Sequence, residues 1–203
     1  MGVKNKNSMS KYPDLFDSIF MKLTHIQRFS DQSLSKNDSD ADHTIRLQLM
    51  VLEIFRNCPS FNLSVACMKA LAHDLEETVI CDIPRTIKYH SEEFHKSFED
   101  MTNELIKEND FGPQIEMIMR NAKDESIEGW IIKFVDILDA YSTLNREAWI
   151  QHSPMFETEA SRSLGWLKQV TEAFPSTDQK LKDYIVSIYK GCEERKICLK
   201  DIG

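Results

Sequence analysis

Apolar residues recur at the spacing of an α-helix through most of this chain. The first such run predicts a helix from about residue 13 to 26, and its apolar members are Leu15, Ile19, Phe20, Leu23 and Ile26. A polar stretch rich in Ser and Asp follows from about 30 to 42, which predicts a loop ending at Asp42 as a helix N-cap. The apolar run that begins after His43 is too long for a typical strand, so it predicts a largely buried helix.

The rest of the chain repeats this pattern between breaks at proline and glycine. The predicted helices cover about 62–78, 91–108, a shorter segment from 115, 125–149, 156–174 and 178–195. We find no convincing strand pattern, no internal repeat and no second domain. The pattern therefore predicts an all-α protein, with a single helical domain over about 13–200 after a disordered polar tail at 1–12.

The composition narrows the class of protein. A chain of 203 residues with 41% apolar and 29% charged residues is long enough to bury one substantial core. Its formal net charge is -8, whereas non-specific nucleic-acid binding depends on a basic surface. The charge therefore argues against such binding. The five cysteines are odd in number and form no Cys-x-x-Cys pair, and the N-terminal residues lack the apolar segment of a signal peptide. Since no apolar run reaches the roughly 18 residues of a membrane helix, we expect a cytoplasmic protein that binds neither nucleic acid nor membrane.

His73-Asp74 is the most informative dipeptide, because it places two strong metal ligands late in an apolar predicted helix. Burying such polar groups is costly unless they are paired or coordinated. Glu77 is one turn beyond them on the same predicted helical face, and Asp82 lies just past the predicted end of the helix. Several carboxylates beside one imidazole favour a cation at this position.

Two more candidate ligands lie elsewhere in the chain. His43 opens the helix after the polar loop, and Asp136 stands among Ile, Phe and Val. Each alone has an ordinary explanation, since a histidine at a helix start can be a cap and Asp136 could face solvent or pair with Lys133. The order His, His-Asp, Asp, each in an apolar helix, favours one divalent metal held by two imidazoles and two carboxylates. Such a ligand set suits Mn, Co, Zn, Fe or Ni better than Ca.

This order of residues resembles the signature of the HD-domain phosphohydrolase superfamily, and of its YfbR-type 5'-deoxynucleotidases in particular. Those proteins show an Arg-aromatic pair, a loop and an acidic-His pair, then HDxxExxxxDLP, a Lys-Tyr pair and K-x-x-D-x-x-x-A-Y. The matching segments here are Arg28-Phe29, Asp42-His43, the run from His73 to Pro84, Lys88-Tyr89 and the run from Lys133 to Tyr141. The resemblance covers about residues 14–150.

The resemblance implies a single-domain HD-fold bundle of roughly seven to nine helices that forms a homodimer, with the apolar C-terminal helices as an interface. It implies one divalent transition metal, Mn or Co with Zn, Fe or Ni as alternatives, in preference to Mg. The implied metal ligands are His43, His73, Asp74 and Asp136.

The same resemblance implies roles for the remaining site residues. Glu77 becomes the general acid/base for an attacking water, and Asp82 an acid near the leaving oxygen or the sugar. Arg28 resembles the residue that grips the phosphate, and Lys88 joins it among the substrate-binding residues. Phe29 stands where these nucleotidases commonly have a Trp that packs against the sugar and helps to exclude a 2'-hydroxyl. That departure leaves the choice between deoxyribose and ribose open.

The favoured function is therefore removal of the 5'-phosphate from (deoxy)nucleoside 5'-monophosphates by attack of a metal-activated water. A deoxynucleoside triphosphate triphosphohydrolase on the same scaffold is an alternative, and Arg46, Arg85 and Lys88 are near enough in sequence to keep it open. A nucleotide-binding HD module without turnover is ranked lower, because no ligand and no candidate base is missing.

Overall fold

The computed structural model describes residues 18–88, 90–175 and 178–198. The tail predicted for 1–12 and Tyr89 lie outside the described residues. The described chain forms a 3-10 helix, Ile19–Thr24, and nine α-helices. These helices are α1 Asp40–Asn57, α2 Leu63–Ala72, α3 Glu77–Ile80, α4 Arg85–Lys88, α5 Glu92–Glu108, α6 Pro113–Arg120, α7 Ile127–Gln151, α8 Pro154–Ala173 and α9 Gln179–Glu194. Since β pairing in the described residues is limited to an isolated bridge between Gln27 and Ser39, the predicted all-α class is confirmed.

The first helix ends earlier than the sequence pattern predicts. Its described part is the 3-10 helix, which ends at Thr24 rather than near residue 26. The hydroxyl of Thr24 donates to the carbonyl of Met21, and the N–H of His25 donates to the carbonyl of Lys22. Both hydrogen bonds span three residues, as in a 3-10 helix, and they complete its last turn. The chain continues from there as a loop.

Helix α1 begins three residues earlier than predicted, which corrects the N-cap from Asp42 to Ser39. The Ser39 side chain accepts from the N–H of Asp42, and the Asp42 carboxylate accepts from the N–H of Ser39, so the two form a capping box. This box places His43 one turn inside the helix, where its side chain is fully buried.

The helix predicted for 62–78 is divided, and the division lies at the metal-binding motif. Helix α2 starts after its N-cap Asn62 as expected, but it ends at Ala72, with His73 as the C-cap. After Ala72, hydrogen bonds that span three residues replace those of the α-helix, which span four. The N–H of Leu75 donates to the carbonyl of Ala72, and the N–H of Glu77 donates to the carbonyl of Asp74. The chain therefore turns between His73 and α3, so Glu77 reaches the site from a separate short helix and not along one helical face.

Helix α7 is the central element of the bundle. It packs against α1, α2 and α8, and its residues Ile131, Phe134 and Val135 are completely buried. Burying apolar side chains of this size contributes about 1.5–3 kcal/mol each. A smaller apolar cluster around Leu23 and Phe111 joins the 3-10 helix to the segment between α5 and α6. The side chains that carry chemistry project from the seam between α1, α2 and α7.

None of the helices in the described ranges combines the length and hydropathy that a bilayer-spanning segment requires.

Candidate metal centre

Four side chains from three parts of the fold converge on one point. His43 comes from α1, His73 and Asp74 from the turn after α2, and Asp136 from the middle of α7. One donor atom of each residue lies within 4.8 Å of a donor atom of every other. The structure thus brings together all four residues that the sequence analysis names as metal ligands.

The hydrogen bonds behind the two histidines determine which ring nitrogens face the centre. His43 Nδ1 lies 2.7 Å from Asp139 Oδ2, and His73 Nδ1 lies 2.8 Å from the carbonyl oxygen of Ala70. A carboxylate and a carbonyl can only accept, so both Nδ1 atoms carry the proton. Each neutral ring then presents a lone pair at Nε2, and the two Nε2 atoms are only 3.1 Å apart.

The carboxylates complete this arrangement of acceptors. Asp74 Oδ2 is 2.8 Å from His73 Nε2, and Asp136 Oδ1 is 3.4 Å from His43 Nε2. Two lone pairs and two carboxylate oxygens that face one another repel unless a cation lies between them. Two imidazoles and two carboxylates are the donor set of a first-row divalent metal, so the residues present fit such an ion.

Asp139 connects the histidine ligand to two arginines. Its carboxylate, which is 1% exposed, accepts from His43 and from Arg46, with Nε at 2.6 Å and Nη2 at 2.9 Å. Arg28 Nη1 lies 3.6 Å from the same carboxylate. The remaining guanidinium donors of Arg46 bind Asp38 at 2.7 Å. Asp139 therefore holds His43 in its metal-binding tautomer, an effect that second partners of ligating histidines commonly have.

Lys123 is a site residue that the sequence analysis does not find. Its Nζ lies 2.8 Å from Asp136 Oδ2 and 3.6 Å from Asp74 Oδ1, which are the outer oxygens of the two ligand carboxylates. Burial lowers the pKa of Lys123, but the carboxylates of Asp136 and Asp74 outweigh it and the pKa lies above its ordinary value. Lys123 belongs to the loop before α7, and no motif marks it, because only the fold brings that loop to the centre.

A cavity of about 550 Å³ opens beside the metal centre. All the residues that the sequence analysis assigns to catalysis and substrate binding line it, namely Arg28, Phe29, Glu77, Asp82 and Lys88. Helices α7 and α8 also line the cavity, with the apolar residues Leu144, Trp166 and Val170 beside the polar residues Lys133, Glu159 and Ser163. The cavity therefore combines charged groups next to the candidate ligands with apolar side chains and an aromatic ring.

Arg28 is suited to bind an anion in this cavity. Its residue is 9% exposed, and Nη1 has no hydrogen-bond partner among the described residues. Burial lowers the pKa of Arg28, but Asp139, Asp136 and neighbouring carboxylates raise it by more. The pKa therefore lies above its ordinary value, and the guanidinium stays charged. A buried charged donor without a full set of acceptors favours a ligand that supplies them.

Asp82 holds the backbone next to Arg28. Its Oδ2 accepts from the N–H of Phe29 at 3.0 Å, and Phe29 adopts a left-handed conformation with φ of 52°. Burial raises the pKa of Asp82, and Arg28 lowers it in part. The Arg28 side chain also lies over the Phe29 ring, 5.3 Å from its centroid. Asp82 therefore fixes the turn that directs both side chains into the cavity.

Glu77 is a buried carboxyl on the wall of this cavity. It is 4% exposed, and its Oε1 accepts from Lys88 Nζ at 3.1 Å. Burial, together with the negative charge of Asp74, raises the pKa of Glu77 well above its ordinary value. A buried carboxyl with a raised pKa beside a cavity is a candidate for taking up and releasing a proton.

A second cavity, also of about 550 Å³, reaches the same centre from the side of α5 and α6. Asp74, Lys88 and Lys123 line both cavities. Glu76 lines the second one, and burial followed by the charge of Asp74 raises its pKa to about 7. The metal centre thus lies at the wall between two solvent-reachable spaces.

Sequence comparison assigns this arrangement to a known group of enzymes. A model of the YfbR-like 5'-deoxynucleotidases matches residues 15–187. A search of curated protein sequences finds no match.

Solved structures share the fold. The HD-domain phosphohydrolase of Listeria innocua superposes with a TM-score of 0.69 and 20% identity over 83% of each chain. A Pyrococcus horikoshii protein gives 0.65 and 18% identity, covering 85% of this chain and 95% of the other. The HD phosphohydrolase of cyanophage S-2L, bound to dA and one catalytic Zn2+ ion, gives 0.60 and 16%, covering 90% and 98%. At these identities the likeness concerns the fold, which is that of an HD-domain helical protein.

Proposed function

This chain belongs to the YfbR-like 5'-deoxynucleotidase family, and from that premise we propose that it removes the 5'-phosphate from (deoxy)nucleoside 5'-monophosphates. It is a hydrolase of the HD type, a metal-dependent nucleotide phosphohydrolase. The observation that carries the specific reaction is the pairing of a metal-ligand cluster with a buried, incompletely bonded Arg28 in one cavity. That combination fits a phosphoryl group whose oxygens meet both.

In the proposed reaction, some of these residues bind the metal and the phosphate, and others transfer protons. His43, His73, Asp74 and Asp136 would hold a divalent cation, which would supply Lewis acidity and lower the pKa of a water molecule. Arg28 binds phosphoryl oxygens with its planar fork and offsets the charge that develops on them. Glu77 accepts a proton from the attacking water, and Lys88 orients its carboxylate.

The part of the cavity lined by α7 and α8 is proposed to receive the nucleoside. Phe29 packs beside the sugar, since Asp82 holds its backbone next to Arg28. Asp82 is also close enough to the same space to act as the acid near the leaving 5'-oxygen. The apolar wall with Trp166 suits the flat face of a base. The cavity volume of about 550 Å³ is ample for one nucleotide.

For the native ion we propose Mn or Co, with Zn, Fe or Ni as alternatives. The two imidazole nitrogens support a transition metal in preference to Mg, which favours oxygen ligands. The related cyanophage phosphohydrolase carries one catalytic Zn2+ ion, and it also binds a deoxynucleoside.

We also propose that the protein forms a homodimer in the cytoplasm. Ile45, Leu49 and Leu52 of α1 are each at least 45% exposed and lie on one side of that helix. Neighbouring α2 exposes Val65, Met68 and Leu71 in the same way. Apolar side chains grouped like this favour a protein partner, so these two helices are better candidates for the interface than the C-terminal helices. Light scattering of wild type and Leu49→Glu tests this, with a monomeric variant expected.

A phosphate-release panel tests the proposed reaction. Nucleoside mono-, di- and triphosphates, in ribose and deoxyribose forms, are incubated with chelated protein and then with Mn, Co, Zn or Mg, and products are identified. We expect phosphate and nucleoside from 5'-monophosphates, no turnover in EDTA, and recovery with Mn or Co. Release of inorganic triphosphate from deoxynucleoside triphosphates would instead support the triphosphohydrolase. Undiminished turnover by protein shown to be metal-free would contradict both.

A further inference from the structure

The two carboxylates of the metal centre each have one oxygen that faces a histidine and one that faces Lys123. Asp74 Oδ2 lies 2.8 Å from His73 Nε2, and Asp136 Oδ1 lies 3.4 Å from His43 Nε2. The second oxygens, Asp136 Oδ2 and Asp74 Oδ1, lie 2.8 and 3.6 Å from Lys123 Nζ. The ammonium group therefore lies on the outer side of both candidate ligands.

A buried ion pair fixes the loop that carries Lys123. Lys69 of α2 is 7% exposed, and its Nζ lies 2.6 Å from Asp124 Oδ1 and 2.9 Å from Ser126 Oγ. Asp124 Oδ1 also accepts from the N–H of Ser126 at 3.0 Å. These contacts join the loop to the helix that leads to the metal-binding turn, so the backbone position of Lys123 does not depend on its own side chain.

An ammonium in this place affects how the two carboxylates can bind an ion. It has three N–H donors and no acceptor, so it binds the outer oxygens and cannot itself be a ligand. Each carboxylate is then left with its inner oxygen for the metal. Ca2+ takes about six to eight oxygen ligands and commonly binds carboxylates through both oxygens, whereas first-row transition metals accept imidazole and fewer ligands.

We propose that Lys123 is a positioning residue that restricts Asp74 and Asp136 to one coordinating oxygen each and thereby makes the centre favour Mn2+ over Ca2+. The inference rests on the metal centre of the proposed function but not on its substrate. Lys123 does not touch the ion in this scheme. It acts through the two carboxylates, and its contacts leave room at the centre for water and a phosphoryl oxygen.

The test measures metal binding and does not depend on activity. Free Mn2+ gives a six-line EPR signal that is lost on binding, so titration of chelated protein gives the Kd for Mn2+, and displacement by Ca2+ gives the Kd for Ca2+. Lys123→Met keeps the length of the side chain and removes the ammonium. Loss of one positive charge raises the affinity for both divalent ions, and the ratio of the two Kd values cancels this common effect. We expect the selectivity for Mn2+ over Ca2+ to fall by about 10-fold.

Mg2+ is a control ion for the same titration. It keeps several waters and binds through one or two carboxylates in octahedral geometry, so it gains little when the outer oxygens are released. The selectivity of Lys123→Met for Mn2+ over Mg2+ should therefore stay close to that of wild type.

Two further variants separate the ion pair from other effects. Lys123→Arg keeps a cation whose separate N–H groups can bind both outer oxygens, so its selectivity should stay within about threefold of wild type. Lys133→Met is the matched charge control, because the Nζ of Lys133 binds Glu125 at 2.6 Å. This variant should leave the ratio of Mn2+ and Ca2+ affinities unchanged.

Each outcome decides a different point. An unchanged ratio of Mn2+ and Ca2+ affinities in Lys123→Met overturns the role of Lys123. An equal loss of selectivity against Mg2+ and Ca2+, or the same loss in Lys123→Arg, also overturns it, because neither depends on the number of coordinating oxygens. Should Lys123→Met fold poorly, Lys123→Ala also frees both outer oxygens and shifts the ratio in the same direction.

Failure of the proposed function is distinguishable from failure of this role. Wild type that binds no Mn2+ defeats the metal centre and the role of Lys123 together. Wild type that binds Mn2+ but hydrolyses no nucleotide defeats only the proposed reaction, and the affinity ratios still decide whether Lys123 controls the choice of ion.

Discussion

Asp139 shows at the scale of one residue how the protein prepares a ligand for its metal. Because its carboxylate fixes the proton on His43 Nδ1, we predict that Asp139→Asn lowers Mn2+ affinity by about 10–100-fold. Titration calorimetry on chelated protein measures this. Asp38→Asn is the control, since it removes the other partner of Arg46 without touching His43. Equal losses in both variants would mean that Arg46, and not His43, carries the effect.

Glu77 has the burial and the neighbours expected of a proton-transferring group. Glu77→Gln keeps the size and can still accept from Lys88, but it cannot take up a proton. We predict that kcat falls by at least about 10²-fold while the bound metal, measured by elemental analysis, is unchanged. Glu76→Gln, which alters the adjacent carboxyl facing the second cavity, is the matched control. Full activity in Glu77→Gln would require another base.

At the scale of elements, the loop between the 3-10 helix and α1 is held by the end of α7. Glu147 is completely buried and accepts from the N–H and the hydroxyl of Ser35 at 2.7 and 2.8 Å, and from Gln151 at 2.7 Å. The start of this loop carries Arg28 and Phe29 into the cavity. The position of Arg28 and Phe29, which we propose bind the substrate, therefore depends on a helix end more than a hundred residues away in sequence.

This anchoring leads to a kinetic prediction. Glu147→Gln replaces a charged acceptor with an amide that cannot satisfy all three donors, so the loop loosens and substrate binding weakens. We expect the KM for the best monophosphate to rise several-fold with a smaller fall in kcat, because the loop positions Arg28 and Phe29 for binding, while Arg28 also offsets charge that develops in the transition state. Glu172→Gln on the exposed face of α8 should leave both constants unaltered. A lower kcat at constant KM would argue against a binding role for the loop.

At the scale of the whole molecule, the metal centre joins helices that are far apart in the chain. Its ligands come from α1, from the turn after α2 and from α7, so the folded protein binds an ion that the unfolded chain cannot hold in the same geometry. Binding of this kind stabilises by about 2.7 kcal/mol when the metal is at 100 times its Kd. For a chain of this length we predict a Tm increase of about 5–10 °C on adding Mn2+.

A ligand variant gives the control for that measurement. His73→Ala removes one imidazole from the centre, so its Tm should be nearly insensitive to Mn2+. Differential scanning calorimetry of both proteins, with EDTA as the starting state, makes the comparison. An equal rise in the variant would show that the ion stabilises the protein somewhere other than this cluster.

The sequence by itself determined the all-α class, most helix positions and the residue types of the centre. Helical periodicity and capping residues are local properties, so Asn62 and the polar loop mark helix starts without knowledge of the fold. The four candidate ligands can be identified from the sequence, because His and Asp in apolar segments need a polar partner once they are buried. Their order along the chain also matches a known motif. The division of the helix after Ala72 is not readable there, since the apolar pattern continues past the turn.

Only the tertiary structure decided which other residues act with these ligands. Lys123 lies in the loop before α7, where nothing in the local sequence distinguishes it from a surface charge. Asp139 follows Asp136 by one helical turn, but only the fold shows that its partners are His43 and Arg46. Their roles follow from burial and from distances across the fold, such as the contact of Lys123 with the outer oxygens of two ligands. Electrostatic interactions depend on separation in space and on desolvation, neither of which the order of residues records.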